Sequence, residues 1–366
     1  MIQGRLKLGL VGPIPPPNGG MAMQTRQLQR LLTAEGFAVE LVAVNPPYRP
    51  RWIQDRRGVR AAFRLIPYLF HLWRVAGEVQ ILHVMANSGW SWHLFAAPAI
   101  WIGRLRGKAV MVDYRGGAAR AFLQRSARWV LPTLRRASLI VVPSAFLRGV
   151  FLAYGVSAVI IPNCVDLERF HPPKSPDSGR HNGPHVIVTR NLETVYDIAT
   201  AIRAFHRIRG AFPAAMLTVA GSGPELASLL RLVQDLGLMS CVHFSGTLDR
   251  GQMAELYRSA DLLLNPSLAD NMPNSLLEAM ASGVPIVSTD VGGISVMVRH
   301  EGNGLLVSAG DPEGMALSAM RILGDPELRE NLIQAGLAQA RRQSWPHIRR
   351  CWLDAYASLV LPSASN

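Results

Sequence analysis

Cysteine and lysine are both scarce in this 366-residue chain, and each scarcity excludes something. The three cysteines, Cys164, Cys241 and Cys351, lie far apart, with no metal-ligand spacing and no even-numbered framework. That excludes a disulfide scaffold and a cysteine-built zinc site, and it is the usage of a reducing compartment. Only Lys7, Lys108 and Lys174 are lysines among 38 cationic residues, so no ammonium group is available after Lys174. The longest apolar run, near Trp92 to Gly103, is about half the ~20 residues that a membrane-spanning helix needs. No N-terminal targeting signal stands out either, because KLGLVGPIPPP reads as a short strand leading into a proline loop. No acidic DxD-type pair offers a metal signature. These absences point to a cytoplasmic protein, soluble or at most peripheral on the inner membrane face.

What is present suits a globular enzyme-sized molecule. Hydrophobic residues make up 49% and charged residues 17%, and the length is enough for two domains with separate cores. The net charge of +13 is unevenly placed. Residues 1–180 carry 24 Lys/Arg against 8 Asp/Glu, or +16, whereas residues 181–366 carry 14 against 17, or −3. The first half should therefore face something anionic.

Strand-like and helix-like segments alternate throughout, which implies stacked βα units and parallel sheets. The first half offers strands at Leu6–Val11, Ala38–Val44, Gln80–Val84, Ala109–Asp113 and Leu139–Val142, with helices between them. The cluster PPKSPDSGRHNGP reads as a linker. The expected organisation is a first domain over 1–170, a linker over 171–184 and a second domain over 185–344. A final helix within 345–366 would cross back to the first domain. The fold class is α/β, with two Rossmann-like domains whose parallel sheets face a central cleft, ligands sitting at the carboxyl ends of the strands.

The most informative stretch is SLADNMPNSLLEAMASGVPIVSTDVGGI, from Ser267 to Ile294. It reads as a loop, a helix and a short strand ending in glycines. Asp270 lies eight residues before Glu278, with Asn271, Met272, Pro273, Asn274 and Ser275 between them at the helix start. A helix N-terminus presents unpaired N–H donors to an anion. A carboxylate at either end of such a donor-rich start suits a polyhydroxylated, phosphorylated ligand, of which a nucleotide sugar is the natural example.

This segment resembles the acidic–seven residues–Glu signature of glycosyltransferase family 4, retaining enzymes of the GT-B type, with Asp270 where Glu is usual. PNCVDLERF, AGSGPE and EGNGLLVSAGDPE resemble further marks of that family, so the likeness covers most of residues 160–350 and is weaker over 1–150. The resemblance implies a retaining, metal-independent transferase without a cofactor, its donor substrate a nucleotide sugar and its acceptor a glycan or lipid-linked glycan in polysaccharide biosynthesis. It implies that Asp270 and the following amides hold the transferring sugar and that Glu278 binds the ribose hydroxyls. Arg190, just past a strand, corresponds to the family's phosphate-gripping arginine, a planar fork suited to phosphate. The accompanying lysine is missing; its place falls at Tyr196 when one inserted residue is allowed, or at Val195 without the insertion. Gly19 and Gly20, before the first helix, resemble the glycine loop that approaches the donor. His83 stands at a strand end where the family often has histidine, although a lone strand-end histidine is more often structural. Tyr114 and Arg115 stand at the family's strand–His–Gly segment on the acceptor side. Arginine there donates hydrogen bonds but shuttles no proton at neutral pH, so no general base is assigned. The resemblance implies that in retaining enzymes of this type the leaving phosphate itself helps deprotonate the acceptor.

The basic first half has two readings. Arg56, Arg60, Arg64 and His71 form one stripe beside an apolar stripe of Val59, Phe63, Ile66, Phe70 and Trp73. Such a stretch suits an anionic membrane surface, and it equally describes a Rossmann helix packed on its sheet. Nucleic acid is not expected as a partner, because no recognition motif accompanies the charge. Two functional alternatives remain: a nucleotide-sugar epimerase of the same architecture, and a catalytically weak nucleotide-sugar-binding protein, which the missing lysine and histidine motivate.

Overall fold

Long apolar strand segments separated by amphipathic helices produce two parallel sheets, because strands covered on both faces become continuous hydrophobic runs. The structure, a computed structural model, describes residues 6–16, 19–46, 59–174 and 182–360, with backbone alone at 59–62. Most of the polar linker stretch, Arg56 and the end of the chain after Val360 lie outside the described residues. The chain divides into two compact units, Met1–Asn163 with Ile348–Asn366, and Cys164–His347.

The first unit contains β1 (Lys7–Gly12), α1 (Gly20–Ala34), β2 (Ala38–Ala43), α2 (Val59–Glu78) and β3 (Ile81–Ala86). It continues with α3 (Ala97–Leu105), β4 (Ala109–Tyr114), α4 (Ala119–Leu134), β5 (Leu139–Val142), α5 (Ala145–Leu152) and β6 (Val159–Ile160). Its six strands pair in parallel in the order β2-β1-β3-β4-β5-β6. All six residues of β3 are buried, as expected of a central strand. One face of the sheet is covered by α2, α3, α4 and α5, which share a core containing Leu72, Ile100, Leu123 and Phe151.

The second unit opens with β7 (His185–Thr189), α6 (Ile198–Ala211), β8 (Met216–Ala220), α7 (Leu226–Asp235) and β9 (Val242–Gly246). Then come α8 (Arg250–Ser259), β10 (Leu262–Asn265), α9 (Asn274–Ala281), β11 (Ile286–Thr289), α10 (Ile294–Met297) and β12 (Leu305–Val307). The helices α11 (Pro312–Gly324) and α12 (Pro326–Arg342) complete it. Its sheet runs β12-β11-β10-β7-β8-β9, again parallel. Winding starts at β7 and goes first one way and then the other, so the strand order reverses between β7 and β10. In open α/β sheets the crevice outside the carboxyl ends at such a point is where ligands bind.

The last helix, α13 (Trp345–Val360), brings Trp352 and Tyr356 into the first unit. Both are buried; their rings stack at 6.1 Å, and Trp352 lies 5.3 Å from the His83 ring on β3. Among the described residues no helix is long and apolar enough to cross a membrane. Removing a buried indole leaves a large cavity, so Trp352→Ala should destabilise the first unit by about 3–5 kcal/mol. Chemical denaturation followed by tryptophan fluorescence and circular dichroism measures this.

Candidate active site

Arg190 is the first residue after β7, at the reversal of strand order. Its Nε donates to Asn265 Oδ1 at 2.9 Å, and Asn265 is the last residue of β10. The same Oδ1 accepts from Ser267 Oγ at 3.1 Å, while Asn265 Nδ2 donates to Ser288 Oγ at 2.9 Å. Asn265 is thus fixed on both sides and aims the guanidinium. A further nitrogen of Arg190 pairs with the Asp270 carboxylate, and the Tyr196 ring lies 4.8 Å beneath the guanidinium carbon. Tyr196, at an expected lysine position, supplies an aromatic face to the Arg190 guanidinium.

Two glycine turns permit this approach. Gly221 has φ +153°, and a Cβ there would collide with the carbonyl oxygen of Arg190. Gly292 has φ +59°, and a Cβ there would collide with the carbonyl oxygen of Asp270. The Gly293 amide then donates to that Asp270 oxygen at 3.1 Å. The glycines of AGSGPE and DVGGI therefore hold the backbone on either side of the Arg190–Asp270 pair.

Asp270 Oδ1 accepts the Asn271 amide at 2.8 Å, and α9 begins four residues on, behind Pro273. The N-cap position of α9 is Pro273, which supplies no side-chain cap. Ser275 Oγ is buried there with no hydrogen-bond partner among the described residues. One turn further, Glu278 is half-buried. Burial pushes its pKa up to about 7, and the nearby Arg250, Tyr257 and Arg190 pull back only part of that rise. Tyr257, itself buried, donates to the Ser275 carbonyl at 3.1 Å and meets Thr189 Oγ1 at 2.9 Å. The site therefore combines a guanidinium, an open helix start and two carboxylates in different surroundings. It suits a ligand carrying phosphate and several hydroxyls.

The first-unit candidates fall into two places. Gly19 stands before α1 in extended backbone, and a Cβ at Gly19 or Gly20 would meet nothing within 4 Å. Asn45 pins the preceding proline loop by donating to the Ile14 and Pro16 carbonyls at 2.7 and 3.1 Å. His83 is wholly buried; its Nδ1 meets Tyr356 Oη at 2.7 Å and its Nε2 meets Asp113 Oδ2 at 3.4 Å. Arg115 Nε donates to Asp113 at 2.9 Å, and its NH1 donates to Asn163 Oδ1. Burial alone would raise the Asp113 pKa, but the charges and hydrogen bonds of Arg115 and His83 hold it below the usual value. His83 and Arg115 thus share a buried network that ties β3, β4 and α13 together. Tyr114 points to the opposite face of β4, with its ring in the core and its hydroxyl 2.7 Å from Ser88 Oγ. Among the described residues no group of three or more His, Cys, Asp or Glu is arranged to hold a metal ion.

Asn265 and Tyr257 escaped the sequence reading. Asn265 left one signal, a polar residue ending the apolar strand LLLN at a strand's carboxyl end. Tyr257 left none, since AELYRS is an ordinary amphipathic helix.

Two family models match the chain: Glycosyltransferase Family 4 over residues 18–169 and Glycosyl transferases group 1 over residues 173–339. An N-acetyl-alpha-D-glucosaminyl L-malate synthase from Bacillus anthracis is 38% identical over 148 residues, covering 40% of this chain and 37% of that protein. A D-inositol 3-phosphate glycosyltransferase from Salinispora tropica is 33% identical over 220 residues, covering 54% of this chain and 45% of that protein. The matched stretches thus span less than half the length of these curated relatives. Among solved structures, a sucrose-phosphate synthase from Thermosynechococcus elongatus superposes with a TM-score of 0.78 at 22% identity, covering 97% of this chain and 99% of that one. HepE from Anabaena, solved in complex with UDP-glucose, superposes with a TM-score of 0.76 at 18% identity over 97% of this chain and 100% of its own. Both likenesses are of fold: GT-B, with two parallel six-stranded sheets.

The raised Glu278 pKa has a consequence for stability. A carboxyl whose pKa rises on folding stabilises the native state below its unfolded value, and that contribution is lost as pH rises through the folded value. Stability should therefore fall from pH 4.5 towards 7 on account of Glu278, and Glu278→Gln should flatten this fall. Denaturant melts across that range, wild type against variant, provide the check.

Proposed function

This chain belongs to the glycosyl transferases group 1 family, and we propose that it moves a sugar from a nucleotide-sugar donor to a glycan or lipid-linked acceptor in polysaccharide biosynthesis. The observation that carries this reading is the convergence of Arg190, Asp270, the start of α9 and Glu278 where the second sheet reverses its strand order. In the proposed reaction the bond between the sugar's anomeric carbon and the diphosphate oxygen breaks, and negative charge builds on that oxygen. Arg190 and the α9 amides are placed to stabilise it, as preorganised donors do. The acceptor hydroxyl forms the new bond to the anomeric carbon on the same face, and its proton passes to the departing phosphate. The configuration is retained, and no metal is assigned a role. Asp270 and the residues Asn271–Ser275 take the transferring sugar, and Glu278 takes the ribose hydroxyls. Gly19 and Gly20 give close approach to the donor, and the first unit, with Tyr114, Arg115 and His83, is assigned to the acceptor side. His83 and Arg115 act there as positioning residues through their shared Asp113, since their polar atoms already have protein partners. The location that fits is cytoplasmic and peripheral, at the inner face of an anionic membrane, through the basic first unit.

Carboxylate–hydroxyl bonds out of water contribute about 1.5–3 kcal/mol each. Titration calorimetry with UDP-, GDP-, TDP- and ADP-sugars should therefore find one nucleotide class that binds wild type and binds Glu278→Ala at least about tenfold more weakly. Equal binding of all donors by both proteins, or binding of none, would sink the donor-site assignment.

A specific observation favours a second reading, in which the chain binds nucleotide sugars with little turnover. Tyr196 occupies the position of the phosphate-binding lysine and braces Arg190. If one cation limits the reaction, Tyr196→Lys should raise kcat for donor hydrolysis or transfer with little change in the acceptor's KM. An unchanged or lower kcat would show that the stacked arginine suffices.

A further inference from the structure

The helix α2 is apolar on two faces, and the first sheet uses only one. Tyr68, Leu72, Val75 and Ala76 are buried in the core. Ile66 and Phe70 are 67% and 75% exposed, with Phe63 and Trp73 also exposed on the same turnwise stripe. Spacing of three and four residues puts these side chains on one line along the helix. They are the apolar stripe of the sequence, and they do not pack on the sheet. The surface continues onto the neighbouring helices, where Leu105 at the end of α3 and Trp129 on α4 are 72% and 66% exposed.

Arginines lie over three tryptophans of this surface. Arg106 lies 4.9 Å over the Trp73 ring, Arg136 lies 4.1 Å over Trp101, and Arg128 lies 5.2 Å over Trp129. Acidic residues are nearly absent: residues 59–165 contain 13 Lys/Arg and two Asp/Glu, Glu78 and Asp113. Glu78 pairs with Arg74 and Asp113 is buried under Arg115. We infer that the exposed side of α2, with the adjoining edges of α3 and α4, is the surface that docks this protein on an anionic lipid bilayer. Ile66 and Phe70 would enter the acyl boundary, while the arginine-capped tryptophans sit at headgroup depth among the lipid phosphates. A second copy of the chain is the poorer occupant, because a two-fold interface sets a patch against itself and would bring these arginines face to face. The inference rests on the proposed peripheral location and is independent of the donor site.

The test is co-sedimentation of the full chain with vesicles of phosphatidylcholine alone or enriched in phosphatidylglycerol. Wild type should bind the anionic vesicles preferentially and release as salt is raised. The double variant Ile66→Glu/Phe70→Glu should lose at least about tenfold in partitioning, with melting temperature and donor binding unchanged. Arg128→Gln/Arg136→Gln should weaken anionic binding and flatten its salt dependence, with little effect on neutral vesicles. Undiminished binding by the glutamate variant would overturn the surface assignment while leaving the peripheral location standing. Absence of wild-type binding at low salt would overturn both, as would a lipid-free dimer that the glutamate variant dissolves. Glu278-dependent donor binding reports on the second unit in every case.

Discussion

The candidate site of the second unit is organised around the partly buried guanidinium of Arg190. Arg190 follows a strand with no exposed face, so its guanidinium must be satisfied where the chain leaves the sheet or remain an uncompensated charge. Three neighbours meet that demand: Asn265 by hydrogen bonding, Asp270 by charge and Tyr196 by its ring. Each comes from a different part of the chain, and each is held by further contacts, down to the glycines that let the backbone close in. The elements around the site are thus positioned by what one arginine requires. Asp270 then has two tasks, since the group that neutralises Arg190 is also the group assigned to a sugar. Under the proposed function, an incoming diphosphate would replace Asp270 as the counter-charge and leave the carboxylate to accept from hydroxyls. Binding of the charged part of a ligand would in this way prepare the site for its uncharged part.

The first unit has a comparable network with the opposite accessibility. Asp113 is wholly buried and held ionised by Arg115 and His83, and Trp352 and Tyr356 of α13 close over this network. Breaking such a network exposes no site; it leaves buried charge without a partner, which is costly. This explains why residues of the types used in catalysis occur here in an arrangement that holds a terminal helix to a sheet. Residue type and strand-end position are the same for both roles, and only the partners tell them apart.

Legibility followed the same line. The parallel strands could be read because buried β-strands are continuous apolar runs, and β7, β10 and β11 appear as HVIVT, LLLN and IVST. The glycines flanking the site could be read because few other residues tolerate such close backbone approach. Glu278 could be read from its spacing, but its raised pKa could not, since that depends on burial beside Tyr257 and Arg250, distant in sequence. The α3 segment appeared only as an apolar run, because a short helix buried on several sides has no amphipathic period. For α2 the pattern admitted two readings, and the hydrophobic period could not choose between them. A stripe packed on a sheet and a stripe facing outward have the same spacing.

Solvent exposure, which spacing does not encode, separates the two faces of α2. A second apolar stripe left in water carries a cost that packing does not repay, and charged residues of both signs would be the ordinary way to offset it. Here three arginines border it, each with its flat, weakly hydrated guanidinium laid on an aromatic ring. That choice keeps the surface soluble while reserving it for a negatively charged partner. On the lipid-docking inference, the +16 of the first 180 residues serves that anionic partner. Much of it belongs to helices on one side of one sheet, and the acidic residues that would neutralise it are the ones this stretch lacks.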